Sequence, residues 1–441
     1  MIKAIGTTQR KLFALIILLT VLAWLIVMSD LARGGRPDPS LLRAAAILLD
    51  GSWQFHTGDD PSWIEAHTDD KGWEMIDLTA KPGSHDGDVG LPDYVSGWTT
   101  HGHPGYAGYA WYRRVVDVPE GQISWDILGP TLVDDGYELY WNGRLLGGSG
   151  RLGPHPRVVG TRPLRFALPA DAGGTRGVLA LRVFALPQST SVADGGGSHN
   201  APILAPRPVS AELHRIQWER TIAGYIVDVV EPLAMFSLVG LALWCLPRSS
   251  HKGFLIGVSM ALGLTAVRRL SDALVFWTDL VDLPTYSFLV AFMWIPTMAC
   301  WTLAWNRWCE PPWRTIDVSV FILLVAESVG SVFGSTSVIS LCRIGSIALF
   351  VLIGARALRG KARILVLIIL TLTALAGYSV ELLDSIGVPG IWFPFGIGVS
   401  RTQYIYGVLI PILAVLVVRT LGMSTSCSSL EAAVPAQSSA P

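Results

Sequence analysis

Apolar residues run along this chain in two rhythms. Between residues 50 and 186 they alternate over short stretches interrupted by Gly, Pro, Asn and Asp, the period of half-buried strands. In 111–118, Tyr112, Arg114, Val116 and Val118 fall on one face and Trp111, Arg113, Val115 and Asp117 on the other. Ile123, Trp125 and Ile127 alternate in the next run. The run 137–141 is followed by Asn142-Gly143 and then Arg144-Leu145-Leu146, which predicts a two-residue hairpin, since both turn positions need positive φ. The apolar run 178–186 predicts a central strand. Beyond residue 220 the alternation gives way to long apolar stretches at 222–246, 253–276, 286–305, 316–333, 338–355, 364–383 and 405–418, and a lone one sits at 12–28. Each predicts a membrane-spanning helix, because no water in the hydrocarbon core can satisfy an open backbone.

Basic residues orient these spans. Arg248 and Lys252, Arg307 and Arg314, then Arg356, Arg359, Lys361 and Arg363 occupy alternate loops, while the loops between carry Asp279, Asp282 and Asp384 with Arg401 as the exception. The N-terminus, the basic loops and the C-terminal tail are therefore expected in the cytoplasm, and the block between the first and second spans outside it. The first span, behind Lys3, Arg10 and Lys11, is read as a retained anchor and not a cleaved leader, because Asp30 occupies the minus-three position for cleavage after Ala32. The expected layout is 1–11 cytoplasmic, 12–28 anchor, 36–215 an exterior all-β domain, 220–421 a seven-helix bundle and 422–441 a disordered tail.

Composition agrees with a mixed protein. A mean hydropathy of +0.46 with 15% charged residues is too apolar for an ordinary soluble chain and too polar for spans alone. Cys245, Cys300, Cys309, Cys342 and Cys427 all lie beyond the exterior block, so that block must hold together by its core and not by disulfides. A net charge of −1, with basic residues gathered in the loops between spans, argues against a nucleic-acid partner.

The exterior motifs carry a resemblance. Asp50-Gly-Ser-Trp-Gln-Phe55, Gly58-Asp-Asp-Pro-Ser-Trp63, Asp69-Asp-Lys-Gly-Trp73, Gly108-Tyr-Ala-Trp-Tyr-Arg-Arg114, Asp134-Asp-Gly-Tyr-Glu-Leu-Tyr-Trp-Asn-Gly143 and Leu179-Ala-Leu-Arg-Val183 resemble, in order and spacing over 48–186, the sugar-binding jelly roll of glycoside hydrolase family 2. The resemblance implies a galactose-binding-like sandwich and a carbohydrate or glycoconjugate ligand. That family keeps its catalytic carboxylates on a separate (β/α)₈ barrel, for which the apolar stretches leave no room, so no enzyme is expected. A sandwich followed by seven spans also resembles the bacterial seven-transmembrane receptors with diverse intracellular signalling modules. Those pass their output to an attached cytoplasmic domain; here about 20 residues follow Arg419, so either a separate cytoplasmic signalling partner is expected or the chain is an inactive remnant, and a homodimer is left open.

Candidate chemistry gathers in two places. The Gly-rich segment 83–109 carries Tyr94, Trp98, His101, His103, Tyr106 and Tyr109, aromatic faces and hydrogen-bonding groups of the kind sugars stack on and bond to. If Trp98 stacks on a ligand, Trp98→Ala weakens binding and leaves melting almost unchanged. Within the spans, Glu231, Arg268, Arg269, Asp272, Glu327, Arg343, Glu381 and Asp384 all fall toward the exterior end, where charges need partners or a polar cavity. Arg343 is expected to pair with Glu327 or Glu231. The acidic pairs Asp59-Asp60, Asp69-Asp70 and Asp134-Asp135 are read as turn residues and not as glycosidase carboxylates, His101 and His103 as loop residues and not as metal ligands, and no cofactor is expected. A membrane-tethered glycosidase and a transporter, with Pro232, Pro296 and Pro411 kinking spans, are the alternatives.

Overall fold

A computed structural model describes residues 42, 44–87, 89–121, 123–358, 363–383, 386–393 and 397–431, without the side chains of 363 and 422–431. The expected anchor at 12–28 lies outside the described residues.

Two antiparallel sheets and a short two-stranded pair, β6 (Val133–Asp134) with β11 (Gly197–Ser198), form the first half. The larger runs in the order β3 (Glu74–Asp77), β2 (Ser52–Thr57), β4 (Gly108–Asp117), β10 (Arg176–Ala185), β7 (Gly136–Trp141) and β8 (Arg144–Ser149). The smaller runs β1 (Ile47–Leu48), β12 (Ile203–Pro206), β5 (Trp125–Leu128) and β9 (Arg165–Ala167). The period-two pattern decides what each strand buries. Tyr112 and Val116 of β4, Leu179, Leu181 and Val183 of β10, and Tyr137 and Leu139 of β7 meet Ile127 and Leu204 of the smaller sheet in one core. β10 is central, pairing with β4 on one side and β7 on the other. The hairpin β7–β8 turns at Asn142 and Gly143, both at positive φ, as two-residue turns require.

The opposite face of the larger sheet is covered by the segment 58–73. Trp111 and Arg113, one residue out of step with the core set, are buried beneath it. Arg113 donates to Asp70 and to the carbonyls of Trp63 and Glu65, and Arg182 is held in a two-pronged pair with Asp59. Asp60 accepts from the Ser62 amide at the start of a short 3₁₀ turn. Asp60 thus caps a turn, as expected, whereas the Asp59 and Asp70 side chains bond guanidinium groups of distant strands and not the nearby backbone.

Helix α1 (Arg207–Gly224) follows β12 directly and packs on the smaller sheet. Leu213 sits against Leu128 and Ala205, and Ser210 donates to the buried Asp126 at 2.7 Å. The helices α2 (Val227–Cys245), α3 (Lys252–Trp277), α4 (Leu283–Trp308), α5 (Arg314–Val332), α6 (Thr336–Ala357), α7 (Arg363–Gly377), α8 (Ser379–Leu383) and α9 (Arg401–Glu431) complete the chain. Sequential neighbours from α2 to α7 touch, and α9 closes the ring between α7 and α2. Phe254, Trp301, Trp305, Phe350 and Leu413 fill its centre, whereas Phe321, Leu341 and Val351 face outward.

Six helices among the described residues are long and apolar enough to cross a membrane by length and composition, the first being the α1–α2 run Arg207–Arg248. The stretch expected as a single span at 364–383 is instead interrupted at Tyr378, between α7 and the one-turn α8. At the interruption α7 is packed closely against α4. Gly377 lies so close to the Met298 sulfur that a Cβ there would come within 2.1 Å, and its carbonyl accepts from Trp294 Nε1 at 3.2 Å. Helix α9 continues to Glu431, into the stretch expected to be disordered; residues 432–441 lie outside the described residues.

Candidate functional site

The segment 83–109 divides between two tasks; of its six candidate residues only Trp98 is fully buried, Tyr94, His103, Tyr106 and Tyr109 being half-buried and His101 exposed. Its second half seals the sandwich core. Trp98 is fully buried, donates to the Tyr106 carbonyl at 3.1 Å and packs near Phe55 and Tyr106. A strand-like segment from far along the chain closes over it: a Cβ on Gly196 or Gly197 would come within 2.3 or 2.8 Å of the indole. The expectation that Trp98 is a free stacking platform is therefore corrected, because the glycine run 195–197 covers the ring that the local sequence leaves bare. Tyr106 bonds the Tyr109 carbonyl, Tyr109 bonds the Gly153 carbonyl and carries the Arg182 guanidinium over its face, and His103 meets Glu74 at 2.9 Å. His101 stands exposed at the end of a 3₁₀ turn.

Tyr94 stacks on His199 at 4.9 Å and donates to Asp194. Burial first, and then the Asp194 charge, push its phenol up. His199 bridges the Val95 carbonyl and Asp134; burial would lower it, but the hydrogen bond and charge of Asp134 outweigh that and raise it. Next to it, burial pushes Asp135 up to about 6, against the opposing hydrogen bonds from Ser189 and the Leu186 amide. A carboxyl whose folded value lies above its unfolded value of about 3.9 stabilises fully below the latter and loses that contribution as pH rises through the former. Asp135→Asn should therefore gain on the wild type by about 2 to 3 kcal/mol as pH goes from 4 to 7. Near-UV circular dichroism melts of the solubilised full chain would read it, and a pH-independent difference would rule it out.

The first half of the segment is a foot planted on the helices. Asp86, buried, accepts from the amides of Val89, Gly90 and Leu91 and so folds the loop that presents Val89. Val89 packs among Tyr225, Ala273 and Phe276, and its carbonyl accepts from the Gly398 amide at 3.1 Å. Gly224 makes room for it, since a Cβ there would lie 3.0 Å from the Val89 side chain. His85 lies against Phe393, with ring centroids 4.1 Å apart and the rings tilted by 54°. A second foothold joins Val158 to the Leu283 amide and Arg162 to Asp279.

Directly below the foot lies a buried polar cluster built from four helices, α2, α3, α4 and α9. Arg269 of α3 reaches Asp228 at 3.4 Å and Glu231 at 3.6 Å on α2, Asp272 at 4.0 Å on its own helix, and donates to Thr402 at the start of α9. Gln403 donates to Asp228 at 2.8 Å, Tyr286 to Asp272 at 2.7 Å, and Arg268 lies 3.9 Å from Asp272. Neither carboxylate oxygen of Glu231 accepts a hydrogen bond among the described residues. A cavity of about 80 Å³ opens between this cluster and Val89, Tyr225 and Gly398. The cluster is thus a charge hub whose members come from separate helices, so a change in their spacing changes its energy directly.

A second hub sits in α4–α8. Arg343 donates to Glu327 at 3.2 Å and to Glu381 at 2.6 Å, with its guanidinium 4.5 Å above the Trp294 ring. Of the two partners expected for Arg343, Glu327 is in contact and Glu231 is not; Glu231 belongs to Arg269, and Glu381 takes the second place. Asp384 lies outside the described residues. Asp228, Tyr286, Ser400, Thr402 and Gln403 were not singled out by sequence. Asp228 sits one helical turn from Glu231 on the same face, a spacing that could have marked it.

No protein-family model and no curated protein matches the chain. Among solved structures, a Bacteroides uniformis β-glucuronidase is similar at 22% identity and a TM-score of 0.26, over 36% of this chain and 17% of that one. A glycoside hydrolase family 2 β-glucuronidase gives 17% and 0.26, over 36% and 17%, and a Bacteroides vulgatus β-glycosidase 21% and 0.24, over 36% and 20%. The likeness spans about a third of this chain and at most about a fifth of each of these enzymes, at TM-scores that transfer neither fold nor activity.

Proposed function

We propose that this chain is a multi-pass membrane sensor: its jelly-roll-like sandwich, outside the cytoplasm, takes up a carbohydrate or glycoconjugate, and its seven-helix bundle relays the bound state to a separate cytoplasmic signalling partner. The observation that carries this is the seating of Val89, on the sandwich, over the Arg269 hub of the helices. Charges that costly are kept in a bundle where they do work, and this group lies where the exterior domain presses. The sugar ligand is supported by the family 2 motifs between Asp50 and Val183. On this reading the protein is not an enzyme, and turnover of a chromogenic glycoside by the pure chain would sink that part.

The test uses the full chain in nanodiscs. A glycan array should identify at least one ligand, and that ligand should slow amide exchange around Arg269 and at the far ends of α2 and α3. Gly224→Val, which wedges the foot out of its seat, should keep glycan binding and abolish the response in the helices. A blank array removes the carbohydrate role, and an unchanged response in the wedged variant removes the relay.

A further inference from the structure

Three segments of the sandwich meet at His199: 94–98, 132–135 and 194–200. Its carbonyl accepts from the Val95 amide and its amide donates to the Leu132 carbonyl, both at 2.8 Å. Around it β11 pairs with β6, and the Gly97 and Trp98 amides donate to the carbonyls of Asp194 and Gly196. The buried imidazole lies where the three segments cross. We propose that His199 is a proton-operated latch: with a proton on each ring nitrogen it ties these segments together, and the loss of one proton loosens the foot formed by the first half of 83–109.

The hydrogen-bond partners carry the argument. Nδ1 faces the Val95 carbonyl oxygen at 2.9 Å and Nε2 faces Asp134 Oδ2 at 3.0 Å. A neutral imidazole has one donor and one acceptor, so it can serve only one of these two oxygens, whereas the imidazolium serves both. Asp134 Oδ2 also accepts from the Gly196 amide at 2.8 Å, which fixes it as an acceptor toward the ring. Remove one proton and a ring lone pair is turned on an oxygen in a buried site, a costly arrangement that moving the segments apart relieves. The Asp134 side chain is 30% exposed, which gives the proton a way to solvent.

The charges that bear on the ring come from each segment. Asp134 bonds it directly with Asp135 alongside, Asp194 acts on it and accepts from Tyr94, and Asp86 acts on Tyr94, whose ring stacks on His199. Burial opposes the imidazolium, but the hydrogen bond and charge of Asp134 prevail and hold the ring above its ordinary value of about 6.5. A histidine so raised stabilises fully below its unfolded value and loses that contribution as pH rises through the folded one. Asp135, pushed up by burial, loses its own contribution in the same direction. The latch is therefore closed in mild acid and released as the medium turns alkaline. Tyr94 and Val95 follow the foot, whose Val89 is seated among Tyr225, Ala273 and Phe276, so release frees the end of the foot that the sandwich holds. The latch is independent of any sugar; only its effect on the helices rests on the sensor reading.

The test is amide exchange, corrected for its intrinsic pH dependence, on the full chain in nanodiscs from about pH 5.5 to about pH 8.5, which brackets the ordinary imidazole value. Opening of 94–98 and 195–200 should rise by about tenfold or more, the loss of one hydrogen bond to a charged group. Asp135→Asn removes the neighbouring carboxyl and should keep the rise. Asp134→Asn should move the midpoint to lower pH, since the carboxylate that holds the ring's proton is gone, and His199→Gln should abolish the dependence. If His199→Gln fails to fold, the midpoint of Asp134→Asn decides. Flat exchange in the wild type, a midpoint that Asp134→Asn leaves in place, or a folded His199→Gln that keeps the rise overturns the latch. If the latch opens while exchange around Val89 and Arg269 stays the same, the latch stands and the relay to the helices fails.

Discussion

Trp98→Ala should cost the sandwich about 3 to 5 kcal/mol, the range for removing a large aromatic side chain from a packed core. The indole is enclosed by Phe55, Tyr106 and the Gly196–Gly197 backbone, none of which can collapse far into the space it leaves. The near-UV melting transition of the full chain should fall steeply, or the sheet should fail to fold. Trp98→Phe, which keeps most of the volume and loses the hydrogen bond to Tyr106, should lose much less. A melt of Trp98→Ala close to wild type would show that the ring is a surface platform after all.

Arg269→Leu should be comparably severe, at about 3 to 5 kcal/mol, since it leaves Asp228, Glu231 and Asp272 buried around a missing cation. Glu231→Gln alone should be mild or stabilising, because that carboxylate accepts no hydrogen bond among the described residues. Added to Arg269→Leu it should restore part of the loss in detergent-solubilised melts. Simple additivity of the two changes would mean that Glu231 and Arg269 do not share a charge balance.

Local rhythm carried far in this chain. Alternation in 111–118 separated Tyr112 and Val116, which reach the core, from Trp111 and Arg113, which lie under the covering segment, and Asn142-Gly143 marked its hairpin. The level of Glu327 and Arg343 on consecutive spans was enough to bring them together. What stayed hidden depends on contacts distant in sequence. Trp98 looks free until the glycines a hundred residues later close over it, and Arg269 looks like an interface residue until Asp228 and Glu231 arrive from α2. Val89 had a weak signal of its own, as an apolar residue within a polar, glycine-rich run where nothing local needed one.

The joint between α1 and α2 has a mechanical meaning. The run Arg207–Arg248 would form one rod of roughly 63 Å at 1.5 Å per residue, but it is broken at Tyr225–Ile226, where the amide of Ile226 turns back to Ala223. A rod broken there does not hand torsion about the α1 axis straight into α2. The load passes sideways through the Tyr225 ring, stacked 4.5 Å from Phe276 of α3. Twisting of the sandwich would thereby be converted into a sideways push on a neighbouring helix, about two turns from the residue that holds three carboxylates.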